Sequence, residues 1–258
     1  HLEGPYLNPK RASDQFGDKL AEPDASAYTE LVESTDCIKR WDASPELPGA
    51  LDFARYLKSK GIVATISHTE AEYQEVKDAF EAGFTHVSHF YNGMPGFHKN
   101  REYKYEGTVE SVYLIDDITI ELIADGRHLP DTILKLAYKV KGVEKTCLVT
   151  ASLAYAGVDA KEVNDPSIVI EDGVCKSRET KQLVGSVATM DVLVQNMVKA
   201  GVPLEDVLRM ASETPAKIMG VYDKKGSLEK DKDADILILD KKLRIRSAWS
   251  KGQLIEGI

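Results

Sequence analysis

The chain has 258 residues, 43% of them apolar and 29% charged, with a formal net charge of -9. This is a globular composition with room for one α/β barrel or two ordinary domains. The acidic balance excludes a nucleic-acid-binding face, which needs clustered Lys and Arg, and no apolar run approaches the roughly 18 residues of a membrane span.

From Cys37 onward, β-rich runs alternate with stretches of helical period. Cys37–Trp41 reads as a strand, and Leu47–Lys60 as a helix with Leu51, Ala54, Tyr56 and Leu57 inward. Ile62–Ser67 is a strand, Ala71–Ala82 a helix ending at Gly83, and His86–Phe90 a strand. Ile118–Ala124 is a strand, Asp131–Val140 a helix closed by Gly142, and Thr146–Val149 a strand. Such βα repetition implies a parallel sheet, open or closed. Ile168–Val174 reads as a hairpin turning at Asp172-Gly173, and Met190–Lys199 and Leu204–Ala211 as helices. A further helix is expected from Thr214 as cap with Pro215 at its first position. Ile236–Leu239 and Ile245–Trp249 are short strands of a small β appendage. The expected division is a barrel over residues 1–222 and appended strands over 223–258.

Polar residues follow the strands: Glu46, His68, His89 with Asn92, Asp125 with His128, and Thr150. That placement favours a (β/α)8 TIM-type barrel, whose sites are built after the strands, over an open sheet, which gathers its ligands at one switch point. Glu46, His68 and His89 are the candidate metal ligands, because two imidazoles and a carboxylate suit Zn²⁺ or Fe²⁺ and leave a position for water. Glu3 either holds a loop or belongs to the site. His86 is expected to be structural, Cys147 to be core, and the basic run Lys99–Lys104 is either a solvated loop or an anion contact. Cys37, Cys147 and Cys175 fall at unrelated spacings, so no disulfide framework is read and a cytoplasmic location is expected. His1 is not Met and already lies in a motif, so the natural N-terminus is expected upstream.

The segments His1-Leu-Glu-Gly-Pro5, Ser44-Pro-Glu46, Ser67-His-Thr69, His89-Phe-Tyr-Asn92-Gly-Met-Pro95, Ala124-Asp-Gly-Arg-His128, Leu148-Val-Thr150, Leu183-Val-Gly-Ser186 and Lys232-Asp-Ala-Asp235 occur in this order. In them the chain resembles the N-acetylglucosamine-6-phosphate deacetylases of the amidohydrolase superfamily. The resemblance implies a TIM-type barrel with a β-sandwich made from both chain ends, the first two barrel strands lying upstream of His1. It implies hydrolysis of the acetamide of N-acetylglucosamine 6-phosphate with one or two divalent ions, Zn²⁺ first and Fe, Co or Mn as alternatives, in a homodimer. Carried over by residue, Glu46, His68 and His89 match the metal ligands. Gln15, Asn92, Gly93, His128, Leu183, Val184 and Gly185 match substrate contacts, and Arg101 matches a phosphate contact reaching across the dimer.

Two positions depart from the family. Gln15 stands where the family has His and cannot carry a proton. Ala151 stands where the family has the Asp that acts as general base and acid, and loss of such a group costs roughly 10²–10⁴ in rate. The chain therefore reads as binding-competent and hydrolysis-impaired, by an engineered change or as a natural non-catalytic sugar-phosphate sensor. Another amidohydrolase, dihydroorotase-like or aminoacylase-like, is the alternative enzyme; such proteins commonly bridge their metals with a carboxylated Lys.

Overall fold

A computed structural model of the chain describes residues 1–12, 16–158 and 163–255. The chain divides into two compact units, His1–Glu121 and Leu122–Ile258.

The first unit holds β1 (Leu2–Glu3), α1 (Ala25–Glu33), β2 (Arg40–Ala43), α2 (Ala50–Ser59), β3 (Val63–Ile66), α3 (Tyr73–Ala82), β4 (Phe84–Val87), β5 (His98–Asn100), β6 (Tyr103–Tyr105), α4 (Thr108–Leu114) and β7 (Thr119–Leu122), whose last residue opens the second unit. Strands β1, β2, β3, β4 and β7 are hydrogen-bonded in that order and all run parallel. Helix α2 buries Ala50, Phe53, Ala54 and Leu57, the i, i+3, i+4, i+7 stripe of a helix lying on a sheet. Phe53, absent from the expected inward set, is its anchor, with its ring 5.2 Å from both Tyr6 and Trp41. Helix α1 was not legible as a periodic segment; Asp24 caps it by accepting from the Ala27 amide at 2.9 Å.

Strand β2 lies further along the chain than expected, at Arg40–Ala43, and takes in Asp42, a charged residue that strands rarely bury. Arg40 and Asp42 sit in the interior and meet Glu121 of β7. The Arg40 guanidinium donates to both Asp42 oxygens (3.0 and 3.2 Å) and both Glu121 oxygens (2.7 and 3.0 Å). All three side chains are at most 7% exposed. Burial drives the Asp42 carboxyl up against the pull of Arg40, whereas Arg40 and His86 hold Glu121 well below the usual carboxylate range despite its burial. His86 joins this network: its Nε2 lies 3.3 Å from Glu121 and its Nδ1 2.7 Å from the Thr119 hydroxyl. Strand β4 ends at Val87, before the expected Phe90, because the chain turns into the left-handed region at His89 (φ 31°).

The second unit holds α5 (Asp131–Lys141), β8 (Thr146–Leu148), β9 (Ile168–Glu171), β10 (Val174–Ser177), β11 (Leu183–Ser186), α6 (Met190–Lys199), α7 (Leu204–Ala211), α8 (Glu213–Ile218), β12 (Ile236–Leu239), β13 (Ile245–Ser250) and β14 (Gln253–Ile255). The Val149 amide after β8 donates to the Leu122 carbonyl at 3.1 Å. Strands β9, β10 and β11 form an antiparallel sheet with the expected turn at Asp172-Gly173, and β12, β13 and β14 form an antiparallel meander. Helices α6 and α7 have the expected bounds. Helix α8 starts two residues earlier than expected, at Glu213, and Thr214 is not its cap: the Thr214 hydroxyl donates to the Val143 carbonyl at 2.8 Å. Among the described residues no helix is long and apolar enough to cross a membrane.

Removing one member of a buried ion network strands the others and costs about 3–5 kcal/mol. Arg40→Met is therefore expected to destabilise the protein by about that amount in urea unfolding. A loss below about 1 kcal/mol would show that Asp42 and Glu121 do not need the guanidinium.

Candidate metal centre and active site

His68 follows β3 and His89 follows β4, both with positive φ (44° and 31°), a conformation that costs a non-glycine residue energy and that clusters at functional sites. Their rings meet at 4.7 Å between centroids. Glu3, at the end of β1, completes the group: the ligand atoms of Glu3, His68 and His89 all lie within 4.8 Å of one another.

The hydrogen bonds fix which nitrogen of each ring faces inward. His68 Nδ1 lies 2.9 Å from the Arg11 carbonyl and His89 Nδ1 lies 3.1 Å from the Asn92 carbonyl. A carbonyl only accepts, so each Nδ1 carries a proton. The Nε2 atoms lie 3.1 and 3.3 Å from the same oxygen of Glu3, and His89 Nε2 lies 3.2 Å from the Ser67 hydroxyl. Each Nε2 meets Glu3 either as a protonated donor or, once deprotonated, as a lone pair directed at a shared cation, and two imidazoles oriented by backbone carbonyls are the arrangement that metal-ligating histidines take. The charges within the group stabilise one another. Although burial opposes it, the two imidazoles hold the Glu3 carboxyl far below its ordinary value. Burial likewise opposes charge on His89, but Glu3 raises its pKa. The donor set fits a borderline divalent ion.

Glu46, the expected carboxylate ligand, is not in this group. Its Oε1 accepts from Asn8 Nδ2 at 2.8 Å and the Glu70 amide at 2.7 Å, and its Oε2 accepts from the Thr69 hydroxyl at 2.5 Å. Three donors already occupy the carboxylate, and Glu3 takes the place beside the imidazoles. The signal for Glu3 was its position in HLEGP, at the end of a strand only two residues long.

Asn92 and Gly93, expected at the substrate, stand directly behind the histidines. The Asn92 carbonyl holds His89, and a Cβ on Gly93 (φ 65°) would come within 2.6 Å of His68 Nδ1. Only glycine lets the chain pass this close to the ring. Ser88 and the His89 amide both donate to Glu121, at 3.2 and 3.1 Å, so the interior ion network reaches the backbone of a ligand. Arg101 sits exposed at the turn of the β5–β6 hairpin, between Lys99 and Lys104, where a solvated loop was the other reading.

In the second unit, Asp125 orients His128. Its Oδ2 lies 2.7 Å from His128 Nδ1, and its Oδ1 accepts from the amides of Arg127 and His128, both at 2.9 Å. These bonds outweigh burial and lower the Asp125 pKa to about 2. Ala151 follows β8 with φ 45°, and its carbonyl accepts from the Ser186 amide at 3.0 Å. Leu183, Val184 and Gly185 form most of β11. Adjacent Cys175 and Lys176 pair with Gly185 and Leu183, so Val184 is the extra residue of a bulge, a device that re-aims strand groups beside sites. Gln15 lies outside the described residues.

A parallel sheet flanked by helices, with ligating side chains just beyond the strand ends, is an α/β fold of the TIM type with a hydrolase-like metal site. The sequence matches the amidohydrolase family over residues 24–255, and the chain belongs to that family. Its relatives include the N-acetylglucosamine-6-phosphate deacetylases of Bacillus subtilis (30% identical over 98% of this chain and 64% of the relative) and Vibrio furnissii (31%, 99% and 63%). The N-acetylgalactosamine-6-phosphate deacetylase of Escherichia coli O157:H7 is 30% identical over 98% of this chain and 67% of that protein. Solved structures agree. The deacetylase from Pasteurella multocida superimposes with a TM-score of 0.89 (28% identity, 98% of this chain, 66% of that one). An aspartate-to-alanine mutant of the Mycobacterium smegmatis deacetylase, in complex with N-acetyl-D-glucosamine-6-phosphate, gives 0.88 (27%, 98%, 67%). The chain thus spans 64% of the length of the Bacillus relative.

Proposed function

We propose that this chain is the greater part of a cytoplasmic, homodimeric deacetylase that hydrolyses the acetamide of N-acetylglucosamine 6-phosphate to glucosamine 6-phosphate and acetate. The observation that carries the reading is the convergence of His68 Nε2 and His89 Nε2 on Glu3 in a member of the amidohydrolase family. Glu3, His68 and His89 would hold one divalent ion, Zn²⁺ by its donor set. When bound, such an ion supplies Lewis acidity toward water and the acetamide carbonyl. His128, with Nδ1 committed to Asp125, would offer Nε2 as a hydrogen-bonding group to the sugar. Backbone groups of Leu183, Val184 and Gly185 would contact the same sugar. Arg101 binds the phosphate, for which a guanidinium is the geometric match. The strands over residues 223–258 are the C-terminal share of a small β-sandwich.

Position 151 carries the proton chemistry in this reading. An aspartate there would take a proton from water and return it to the leaving amine, which departs poorly without it. Ala151 can do neither. The mutant Mycobacterium enzyme, with its substrate, supports the view that an alanine form retains binding.

Three outcomes are expected. Protein purified without chelator should contain about one equivalent of divalent metal by elemental analysis, and Glu3→Gln, His68→Ala and His89→Ala should each lose it; retention by all three would place the metal elsewhere. In acetate release from N-acetylglucosamine 6-phosphate, with metal content matched, Ala151→Asp should gain on the order of 10²-fold or more in rate with little change in ligand affinity. An Ala151→Asp protein that stays inactive would make the chain a sugar-phosphate sensor. Arg101→Ala should weaken binding of the phosphorylated sugar by tenfold or more and leave the unphosphorylated sugar unchanged, a loss on the order of one charge-assisted contact; equal loss for both would remove the phosphate role.

A further inference from the structure

Resting on the metal centre proposed above, we infer that Glu46 is a positioning residue for His68, clamping the two segments whose hydrogen bond sets that ring's tautomer. The bond in question is His68 Nδ1–H to the Arg11 carbonyl, at 2.9 Å. Glu46 grips the chain on both sides of it. On the histidine side it accepts from the Thr69 hydroxyl at 2.5 Å and from the Glu70 amide at 2.7 Å, the two residues after His68. On the carbonyl side it accepts from Asn8 Nδ2 at 2.8 Å. Asn8 in turn organises the turn that ends at Arg11: its Oδ1 accepts from the Lys10 amide, and its carbonyl accepts from the amides of Arg11 and Ala12, each at 2.9 Å.

Two further contacts join the same segments. The Ser44 hydroxyl accepts from the Asn8 amide at 2.7 Å and lies 2.8 Å from the His68 carbonyl. The Arg11 guanidinium pairs with Glu70. Ser44-Pro-Glu46 thus serves as one splint across two loops. A carboxylate is the right group for its end, because it meets three donors and brings no proton of its own. Without it, the Glu46 links that hold the left-handed backbone at His68 (φ 44°) in register with the Arg11 carbonyl are lost. The ring would then sample the tautomer with its proton on Nε2, which cannot ligate through that atom.

The inference separates cleanly from a ligand role. A glutamine at position 46 keeps one carbonyl oxygen for Asn8 and Glu70 and can donate to the Thr69 oxygen, so it preserves the splint while removing the charge. An alanine removes both. Partners that orient metal-ligating histidines typically contribute 10–100-fold to metal affinity.

The experiment uses the protein labelled with ¹⁵N-histidine. The tautomer of His68 is read by long-range ¹H–¹⁵N correlation in metal-free protein, and Zn²⁺ affinity by chelator competition. In the parent and in Glu46→Gln, His68 is expected as the Nδ1–H tautomer, with Zn²⁺ affinity equal within tenfold. In Glu46→Ala, a mixed tautomer and a 10–100-fold weaker affinity are expected, and Asn8→Ala, which leaves Glu46 in place, should give a smaller shift in the same direction. The inference is overturned if folded Glu46→Ala keeps the parent's tautomer. It is also overturned if Glu46→Gln loses Zn²⁺ as completely as Glu3→Gln, which would make Glu46 a ligand. A parent that binds no metal, but whose His68 tautomer still responds to Glu46→Ala, would refute the metal reading and leave the positioning role standing.

Discussion

Arg40 crosses the interior of the first unit to Glu121, and that contact supports both the fold and the candidate site. It ties β2 to β7, which are not neighbours in the sheet. Glu121 can stay ionised in a buried position because the guanidinium and His86 compensate it. An ionised Glu121 in turn accepts from Ser88 and from the amide of His89. A buried charge network is weak evidence for stability, because desolvating the ions offsets most of their attraction. Its clearer consequence is geometric: one end of it terminates on the backbone of His89, one of the candidate ligands.

The same division of labour recurs at the other imidazole. His68 is held through its ring by a carbonyl, through its backbone by Ser44, and against its face by the glycine that passes closest to it. Among the described residues, neither histidine has a side-chain acceptor at Nδ1. Both use backbone carbonyls from loops that follow or precede strands, so tautomer and loop conformation are coupled, and a disturbance of either loop is transmitted to Nε2.

The alternation of strands and helices was legible because apolar periodicity reports burial. Helices α6 and α7 and the hairpin at Asp172-Gly173 stand where the pattern placed them. The misses have physical causes. Strand β2 was ended too early because Asp42 looks unlike a buried strand residue until Arg40 is seen to pair with it. The β5–β6 hairpin reads as a polar loop because its residues are exposed on both faces. The imidazoles were legible as strand-end polar residues, but not which carboxylate stands beside them. Glu46 and Glu3 both follow β-like segments in recognisable motifs, and only the parallel pairing of β1 with β2 decides which one reaches the rings. Sequence spacing carries no information about that pairing, since strands meet by topology rather than by distance along the chain.

Backbone conformation offers a separate line on position 151. His68, His89 and Ala151 lie two to three residues beyond the ends of β3, β4 and β8, with φ of 44°, 31° and 45°. Left-handed backbone just past a strand end turns the following chain away from the sheet and leaves the side chain at its edge. Among non-glycine residues, Asn, Asp and His enter this region several-fold more often than others, because a short polar side chain can bond locally to its own backbone. Two of the three positions carry such a residue. Alanine has no compensating contact and is the poorest match of the three. A positive φ at 151 is compatible with an aspartate, so a carboxylate placed there would suit the backbone as well as the proton chemistry proposed for it.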